Sequence, residues 1–176
     1  QLRSLEVNDE PLAEFPHAIL RKGAPLEVLT LSNVGLKQWP KDMGLLTELR
    51  ALDVSENALK TLPEALTSFG KLEILRANEN AIVHIPDDIG RLRNLHTVEL
   101  RKNKIDGIPE SIGALRELVT LDLGTNRIPS LPASFFDLSK LKTLSLQNNL
   151  LDKVPDELAR LGALETLLLQ TNPATR

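Results

Sequence analysis

The sequence lacks cysteine and tyrosine entirely, and aromatic residues make up only 3% of its 176 residues. Without cysteine, disulfide-bonded end caps, thiol catalysis and cysteine metal sites are excluded. No apolar run approaches the ~20 residues that a membrane helix needs, so we expect no membrane insertion. The Asn-x-Ser/Thr glycosylation sequence is also missing. Together these absences favour a cytoplasmic, reducing location over a secreted one.

Positive charge is also scarce, since the formal net charge is −3 and the isoelectric point is about 5.7. A nucleic-acid-binding protein needs a clustered basic face, so we expect no nucleic-acid partner. The histidines His17, His84 and His96 do not recur at one spacing, which predicts no metal site. No catalytic motif, phosphate loop or cofactor motif is complete. We therefore predict no enzyme activity, no catalytic residue, no cofactor and no small-molecule substrate.

Leucine, in contrast, recurs at a fixed interval along almost the whole chain. A leucine stands every 23 residues at Leu26, Leu49, Leu72, Leu95, Leu118, Leu141 and Leu164, and Leu2 lies 24 residues before the first of these. A constant period of this size indicates stacked copies of one small structural unit. Such a solenoid offers a long surface rather than a deep pocket, which favours a recognition protein.

Each unit follows the pattern L-x-x-L-x-L-x-x-N-x-L, as in the residues 49–71, which read LRALDVSENALKTLPEALTSFGK. This pattern resembles that of leucine-rich repeats. The resemblance implies an α/β fold: a curved right-handed solenoid of about eight repeats. It implies a parallel β-sheet on the concave face and short helices or 3-10 turns on the convex face. The alternating L-x-L segment independently predicts a short strand with its leucines inward.

Two further columns mark the turns of each unit. Asparagine amides both donate and accept hydrogen bonds, so an asparagine at each strand end can satisfy the backbone of the adjacent unit. We assign this structural role to Asn57, Asn80, Asn103, Asn126, Asn149 and Asn172. A proline follows in each unit, and acidic residues after it suit the start of a short helix.

The two ends depart from the regular pattern. Glu10 and Val34 occupy the asparagine position in the first two units, and the first unit is one residue longer. We predict a single domain over residues 1–176. Residues 1–25 form a divergent first repeat or N-terminal cap, residues 26–163 form six regular repeats, and residues 164–176 form a truncated last repeat. The open last unit favours a segment of a longer protein. Phe136 replaces a glycine of other units, so it is either an exposed convex contact or is buried by a shifted helix.

Residues that point outward from the strands form the candidate binding surface. Charge of both signs is concentrated on the central units, and we predict that a partner binds at Asp53, Glu56, Arg76, Asn78, Glu79, His96, Glu99, Arg101, Lys102 and Asp122. The alternative is that these charges simply pair across adjacent strands as a solvated surface. Because the face carries arginine but no aromatic residue, we expect a polar contact of moderate affinity.

The proline-containing repeat resembles the intracellular leucine-rich repeats of Ras-pathway scaffolds, plant Ras-group proteins and bacterial effectors. This resemblance implies a protein-interaction scaffold that binds a protein on its concave face, with a role in signalling. The alternative is the substrate-recognition arm of a larger enzyme, such as a bacterial effector ubiquitin ligase or a leucine-rich-repeat kinase. A bacterial effector would act in the host cytosol. A carbohydrate or lipid sensor would be secreted, and the sequence gives no sign of that.

Overall fold

A parallel β-sheet runs through the whole molecule, which the computed structural model describes over residues 2–12 and 15–175. Each strand pairs with the next along the chain, so sequence order is also spatial order. The strands are β1 (Ser4–Asn8), β2 (Val28–Ser32), β3 (Ala51–Asp53), β4 (Ile74–Arg76), β5 (Thr97–Glu99), β6 (Thr120–Asp122), β7 (Thr143–Ser145) and β8 (Thr166–Leu168). The strands of the eight-stranded sheet are all parallel, as repeated units require.

The register of the sheet repeats the sequence period. Leu52 pairs with Leu75, and Leu75 pairs with Val98 in the next strand. Side chains alternate across a strand, so these middle residues all point to the same side. They are almost wholly buried, and the apolar core is a continuous column beneath the sheet. Burial of each leucine stabilises the fold by about 1.5–3 kcal/mol.

The opposite side consists of short 3-10 helices, and the described residues contain no α-helix. In three repeats the helix begins one residue after proline, so Pro109, Pro132 and Pro155 precede the helix instead of forming its first residue. The helices are η1 (His17–Ile19), η2 (Met43–Leu45), η3 (Leu66–Ser68), η4 (Ile89–Arg91), η5 (Glu110–Ala114), η6 (Ala133–Asp137), η7 (Asp156–Arg160) and η8 (Pro173–Thr175).

Glycine allows the close approach of neighbouring 3-10 helices in the central repeats. A Cβ atom on Gly90 would lie 2.3 Å from the Ser111 carbonyl oxygen, and one on Gly113 would lie 2.4 Å from the Ser134 carbonyl oxygen. Phe136 stands at the equivalent position of the next repeat. It is buried, with 7% of its surface exposed, and packs edge-on against Phe135. Of the two alternatives for Phe136, the exposed convex contact is therefore wrong, and burial of the ring is correct.

A hydrogen-bonded asparagine column closes the turn after each of the strands β3 to β8. The Asn126 amide donates to the Leu100 and Leu123 carbonyl oxygens at 3.0 Å each, and its oxygen accepts from the Ile105 N–H at 3.0 Å. The same pattern recurs at Asn57, Asn80, Asn103, Asn149 and Asn172. The side chains thus supply partners to backbone groups inside the stack.

The residue before each asparagine position adopts a left-handed conformation that the sequence did not reveal. All eight repeats share it, although none has glycine there, at Asp9, Asn33, Glu56, Glu79, Lys102, Thr125, Asn148 and Thr171. Such a conformation is costly for a residue with a side chain. In the first seven repeats the turn is held by a bond from the N–H of this residue to the next repeat, as from Glu56 to the Asn78 carbonyl oxygen at 2.9 Å.

Candidate functional site

The sheet brings the ten predicted binding residues onto four adjacent strands and the turns that follow them. Asp53, Arg76, Glu99 and Asp122 occupy the same register position in the consecutive strands β3 to β6. Asn78 and Arg101 follow two of these strands, and the left-handed turn residues lie beside them. His96 stands directly before β5. The site is thus a strip across the middle of the sheet.

Three of these side chains form one network at the centre of the strip. The Arg76 Nε atom lies 3.3 Å from the Glu99 Oε1 atom, and the Asn78 amide donates to Glu99 Oε2 at 3.2 Å. The Asn78 oxygen in turn accepts from the Arg101 backbone N–H at 2.8 Å. Since the Arg76 and Glu99 side chains are 43% and 27% exposed, water screens this pair only partly. The network fixes three side chains in place before any partner arrives.

Other charges in the strip also have partners. Lys102 donates to Glu79 at 2.8 Å, joining two left-handed turns. Asp53 and Asp122 each accept a bond from the backbone N–H two residues later, that of Ser55 at 3.0 Å and that of Gly124 at 2.9 Å. The last bond turns Asp122 toward its own turn, which relieves the repulsion expected from its register neighbour Glu99.

Two charged side chains of the strip make no hydrogen bond or ion pair within residues 2–12 and 15–175. Glu56 and Arg101 are both exposed, and neither side chain makes a hydrogen bond or ion pair there. His96 is exposed as well, with its Nδ1 atom 2.7 Å from the Asn94 carbonyl oxygen. Glu56 and Arg101 therefore offer one carboxylate and one guanidinium that an incoming protein can bind without breaking an existing contact.

The strip ends where Gly124 follows β6. A Cβ atom there would lie 2.9 Å from the Ser145 Oγ atom and 3.1 Å from the Asp122 Oδ1 atom, so a larger residue would require these side chains to shift. Beyond it the surface carries neutral polar groups, such as Gln147 and Gln170, whose amides bond at 2.8 Å. Gly124 thus marks the boundary between the charged and the neutral part of the sheet surface.

A row of ion pairs borders the sheet at the positions before the strands. Arg50 lies 2.5 Å from Glu73, and Lys142 lies 2.8 Å from Glu165, whose hydrogen bond raises the Lys142 pKa. Two residues earlier in the repeat, Lys140 bonds to Glu117 at 2.7 Å, and this bond lowers the pKa of the Glu117 carboxyl. These contacts link neighbouring repeats, and their exposure limits what each contributes to stability.

No group of three or more histidine, aspartate or glutamate side chains suited to a metal ion occurs in the described part of the chain. Within the same residues, none of the helices has the length and apolar character to cross a membrane.

Comparisons with known proteins agree with this geometry. A family model described as a leucine-rich repeat region matches residues 84–175. No curated protein matches the chain by sequence. A solved leucine-rich repeat protein of Leptospira interrogans is similar over 97% of this chain, with 31% identity and a TM-score of 0.89. The likeness confirms the predicted solenoid of about eight repeats. The chain spans 43% of that protein's length.

Two other similar structures come from different organisms. The leucine-rich repeat ectodomain of the Arabidopsis thaliana membrane receptor kinase GASSHO1/SCHENGEN3, solved in complex with Casparian strip integrity factor 2, is 32% identical with a TM-score of 0.78. The match covers 84% of this chain and 19% of the receptor kinase chain. An internalin from Listeria monocytogenes is 26% identical over 84% of this chain and 42% of its own, with a TM-score of 0.76.

Proposed function

Because the chain belongs to the leucine-rich repeat family, we propose that it is a protein-interaction scaffold whose partner contacts the charged strip of the sheet. The strip comprises the ten residues from Asp53 to Asp122 described above. One observation carries the proposal: among the residues that the structure describes, the Glu56 and Arg101 side chains have no partner, and they lie beside a side-chain network that is already ordered. Ordered neighbours lower the entropy lost when a partner binds.

The chemistry of the strip favours a protein partner over nucleic acid or a small molecule. Its carboxylates outnumber its cations, which opposes binding to phosphate backbones. The sheet is open and offers a broad area, and standard protein contacts bury about 800 Å² on each partner. Arg101 is the residue type most suited to anchor such a contact. A partner should present a carboxylate to Arg101 and a basic group to Glu56.

We propose a cytoplasmic location for this scaffold from the absence of cysteine and of glycosylation sequences, and a role in signalling from the resemblance of its proline-containing repeat to Ras-pathway scaffolds. A second candidate is the recognition arm of a larger enzyme. The similarity to a receptor kinase ectodomain, of which this chain covers 19%, supports that alternative. The chain's own residues have the same task in both cases, namely to bind a protein.

An affinity capture experiment with a charge swap tests the site. The Glu56→Lys/Arg101→Glu variant keeps the net charge at its original value and breaks no bond of either side chain. Asp152 and Arg93 are exposed residues on other surfaces. The Asp152→Lys/Arg93→Glu variant is therefore a matched control. Circular dichroism should show that both variants remain folded.

We expect proteins captured from the source cells by the original chain to be retained by the control and lost by the strip variant. Capture of the same proteins at the same level by all three forms would contradict the assignment of the strip. If an enzyme domain follows in the full-length protein, the strip variant should impair recognition of substrate without changing the chemical step.

A further inference from the structure

A second surface lies between the strand turns and the 3-10 helices, away from the charged strip. There a groove of about 500 Å³ is lined by Ile85, Pro86, Ile108 and Pro109, with polar residues along its edge. Ile85 is buried, and the other three are half-buried, so the groove has an apolar floor that water can reach. Proline has no N–H group to offer, so the floor favours apolar side chains.

Gly107 lines this groove without placing a side chain in it. The equivalent residue in neighbouring repeats is Thr61, His84 or Ser130, each of which carries a side chain. A Cβ atom added to Gly107 would meet nothing within 4 Å, and its backbone does not require glycine. Neither packing nor backbone conformation therefore explains the glycine. Its effect is to leave space at the groove.

The groove continues into a hollow of about 390 Å³ toward the N-terminal repeats, where Leu62, Pro63 and Glu64 face His84 and Pro86. We call the two hollows together the proline groove. Its lining includes four carboxylates and neither lysine nor arginine: Glu64, Asp87, Asp88 and Asp106. The groove is therefore both apolar and acidic.

Within the residues that the structure describes, two of the four carboxylates of the proline groove have no partner, whereas four of the five on the charged strip have one. Glu64 and Asp87 are exposed and have no hydrogen bond or ion pair within the residues that the structure describes. Asp88 lies 4.0 Å from Arg91, at the limit of an ion pair. Asp106 lies 3.1 Å from the Nδ1 atom of His84. Most of the negative potential thus remains available to a ligand.

The corresponding hollow two repeats later provides an internal comparison. It measures about 200 Å³, and its lining includes Phe136 and Lys153. The aromatic ring occupies space, and the lysine offsets the carboxylates of Asp152 and Glu157. The repeat period alone therefore does not create an acidic groove of this size. The equivalent hollow two repeats before the groove measures about 430 Å³ with Thr61 at the position of Gly107, and its lining includes Lys41. The absence of lysine and arginine, rather than its size alone, therefore distinguishes the proline groove.

We propose that the proline groove binds an extended peptide segment of a protein partner in which basic and apolar residues alternate. Successive side chains of an extended peptide point to opposite sides. One set can therefore fill the floor beside Gly107, while the other reaches Glu64 and Asp87. Partly desolvated charge pairs at the groove edge add specificity to the apolar contact. This site is separate from the proposed partner site on the sheet.

A defined peptide tests the proposal without knowledge of the natural partner. Fluorescence polarisation would measure binding of fluorescein-labelled acetyl-(Ile-Arg)3-amide to the whole chain. Two further peptides, with glutamate in place of arginine and with serine in place of isoleucine, separate the two contributions. We expect both replacements to weaken binding at least tenfold.

Two pairs of variants locate the binding. Gly107→Leu fills the groove, and its control Gly162→Leu places the same side chain at another glycine with open surroundings. Glu64→Lys/Asp87→Lys removes the acidic edge, and its control Asp152→Lys/Glu157→Lys makes the same charge change at the smaller hollow. We expect at least a tenfold loss of affinity in each groove variant and less than a twofold change in each control.

Three results would overturn the proposal. The first is no binding of the peptide to the original chain. The second is equal affinity of Gly107→Leu and Gly162→Leu, which would make the contact purely electrostatic. The third is an equal loss in the two lysine variants, which would place the peptide elsewhere. The Glu56→Lys/Arg101→Glu variant should keep the original affinity, so failure of this proposal is distinguishable from failure of the charged strip.

Discussion

The charged strip and the proline groove share the same repeats but differ in how their charges are satisfied. On the strip, Glu99 and Glu79 bind cations or amides of the adjacent repeat. In the groove, Glu64 and Asp87 lie on equivalent positions one repeat apart with no such partner among the described residues. Both surfaces arise from the 23-residue period. The period therefore places residues side by side, and the choice of residue decides whether they pair.

This difference separates two kinds of recognition surface. The side chains of the strip are already ordered, so a partner loses less entropy on binding. The strip also offers few unpaired charges for that partner to bind. The groove has an apolar floor and unpaired carboxylates, so a ligand with both apolar and basic side chains gains affinity from burial and from charge pairing. We expect the strip to determine which protein binds through shape and register, and the groove to select a basic segment.

The largest expected effect comes from the asparagine column beneath the strip. Asn126→Ala removes bonds to the Leu100 and Leu123 carbonyl oxygens and to the Ile105 N–H, and it leaves these groups buried. We expect the free energy of unfolding to fall by about 3 kcal/mol, since each unsatisfied buried group costs about 1–3 kcal/mol. Urea unfolding measures this.

Asn8→Ala serves as the control for that experiment. Asn8 is exposed at the end of β1, and its side chain makes no hydrogen bond within the described residues. An unfolding free energy that is unchanged by Asn126→Ala would show that the column is not what holds the strand turns.

The next effect distinguishes packed from open glycine positions. Gly113→Ala places a Cβ atom 2.4 Å from the Ser134 carbonyl oxygen, and relief of that contact requires the helices η5 and η6 to separate. We expect a destabilisation of about 1–3 kcal/mol, as for other overpacked sites. Gly107→Ala should change the unfolding free energy by less than about 1 kcal/mol. Equal destabilisation of the two variants would show that the proline groove is not open.

A smaller effect tests the paired charges of the strip. A double-mutant cycle of Arg76→Ala and Glu99→Ala should give a coupling energy of about 0.5 kcal/mol, since the pair is partly exposed. The same cycle with Glu64→Ala and Asp87→Ala should give no favourable coupling, because two carboxylates do not attract. A favourable coupling of equal size in both cycles would remove the distinction between the two surfaces.

The smallest effect concerns Glu110, which follows Asp87 by one repeat. The nearby Ser134 hydroxyl, which donates to the Glu110 backbone carbonyl oxygen at 2.5 Å, and the Ser134 backbone N–H, which donates to the carboxylate at 3.1 Å, lower the pKa of the carboxyl. Ser134→Ala should raise the Glu110 pKa toward its ordinary value, as measured by NMR titration. A lowered folded-state pKa stabilises the protein above the ordinary pKa, and this contribution is lost as the pH falls through the folded value. An unchanged Glu110 pKa would contradict the assigned contact.

Much of the fold followed from the spacing of leucine, because a period of 23 residues leaves few alternatives to a stacked parallel sheet. The left-handed turns could not be predicted from this spacing. Residues such as Glu56 and Lys102 have no preference for that conformation, which the hydrogen bonds between repeats impose. Phe136 was ambiguous for a similar reason, since its burial depends on how the next repeat packs.

Of the two candidate surfaces, the sequence predicted the charged strip but not the proline groove. The alternation of residues in the strands predicted which side chains share the face of Arg76 and Glu99, and the structure shows that these two pair. The partner-binding role of the strip stays a prediction. The proline groove was not predicted, because the acidic residues after each proline, Asp87 among them, were expected only to begin a short helix. Gly107 was the available signal, as the one residue without a side chain in its column among residues 38–153.

The most direct test compares the affinity of one captured partner for the original chain, the Glu56→Lys/Arg101→Glu strip variant and the Gly107→Leu groove variant. Isothermal titration with the purified partner provides the three dissociation constants. For a partner that binds the strip, the account predicts at least a tenfold loss in the strip variant and less than a twofold change in the groove variant. Equal losses in both variants, or no loss in the strip variant, would contradict it.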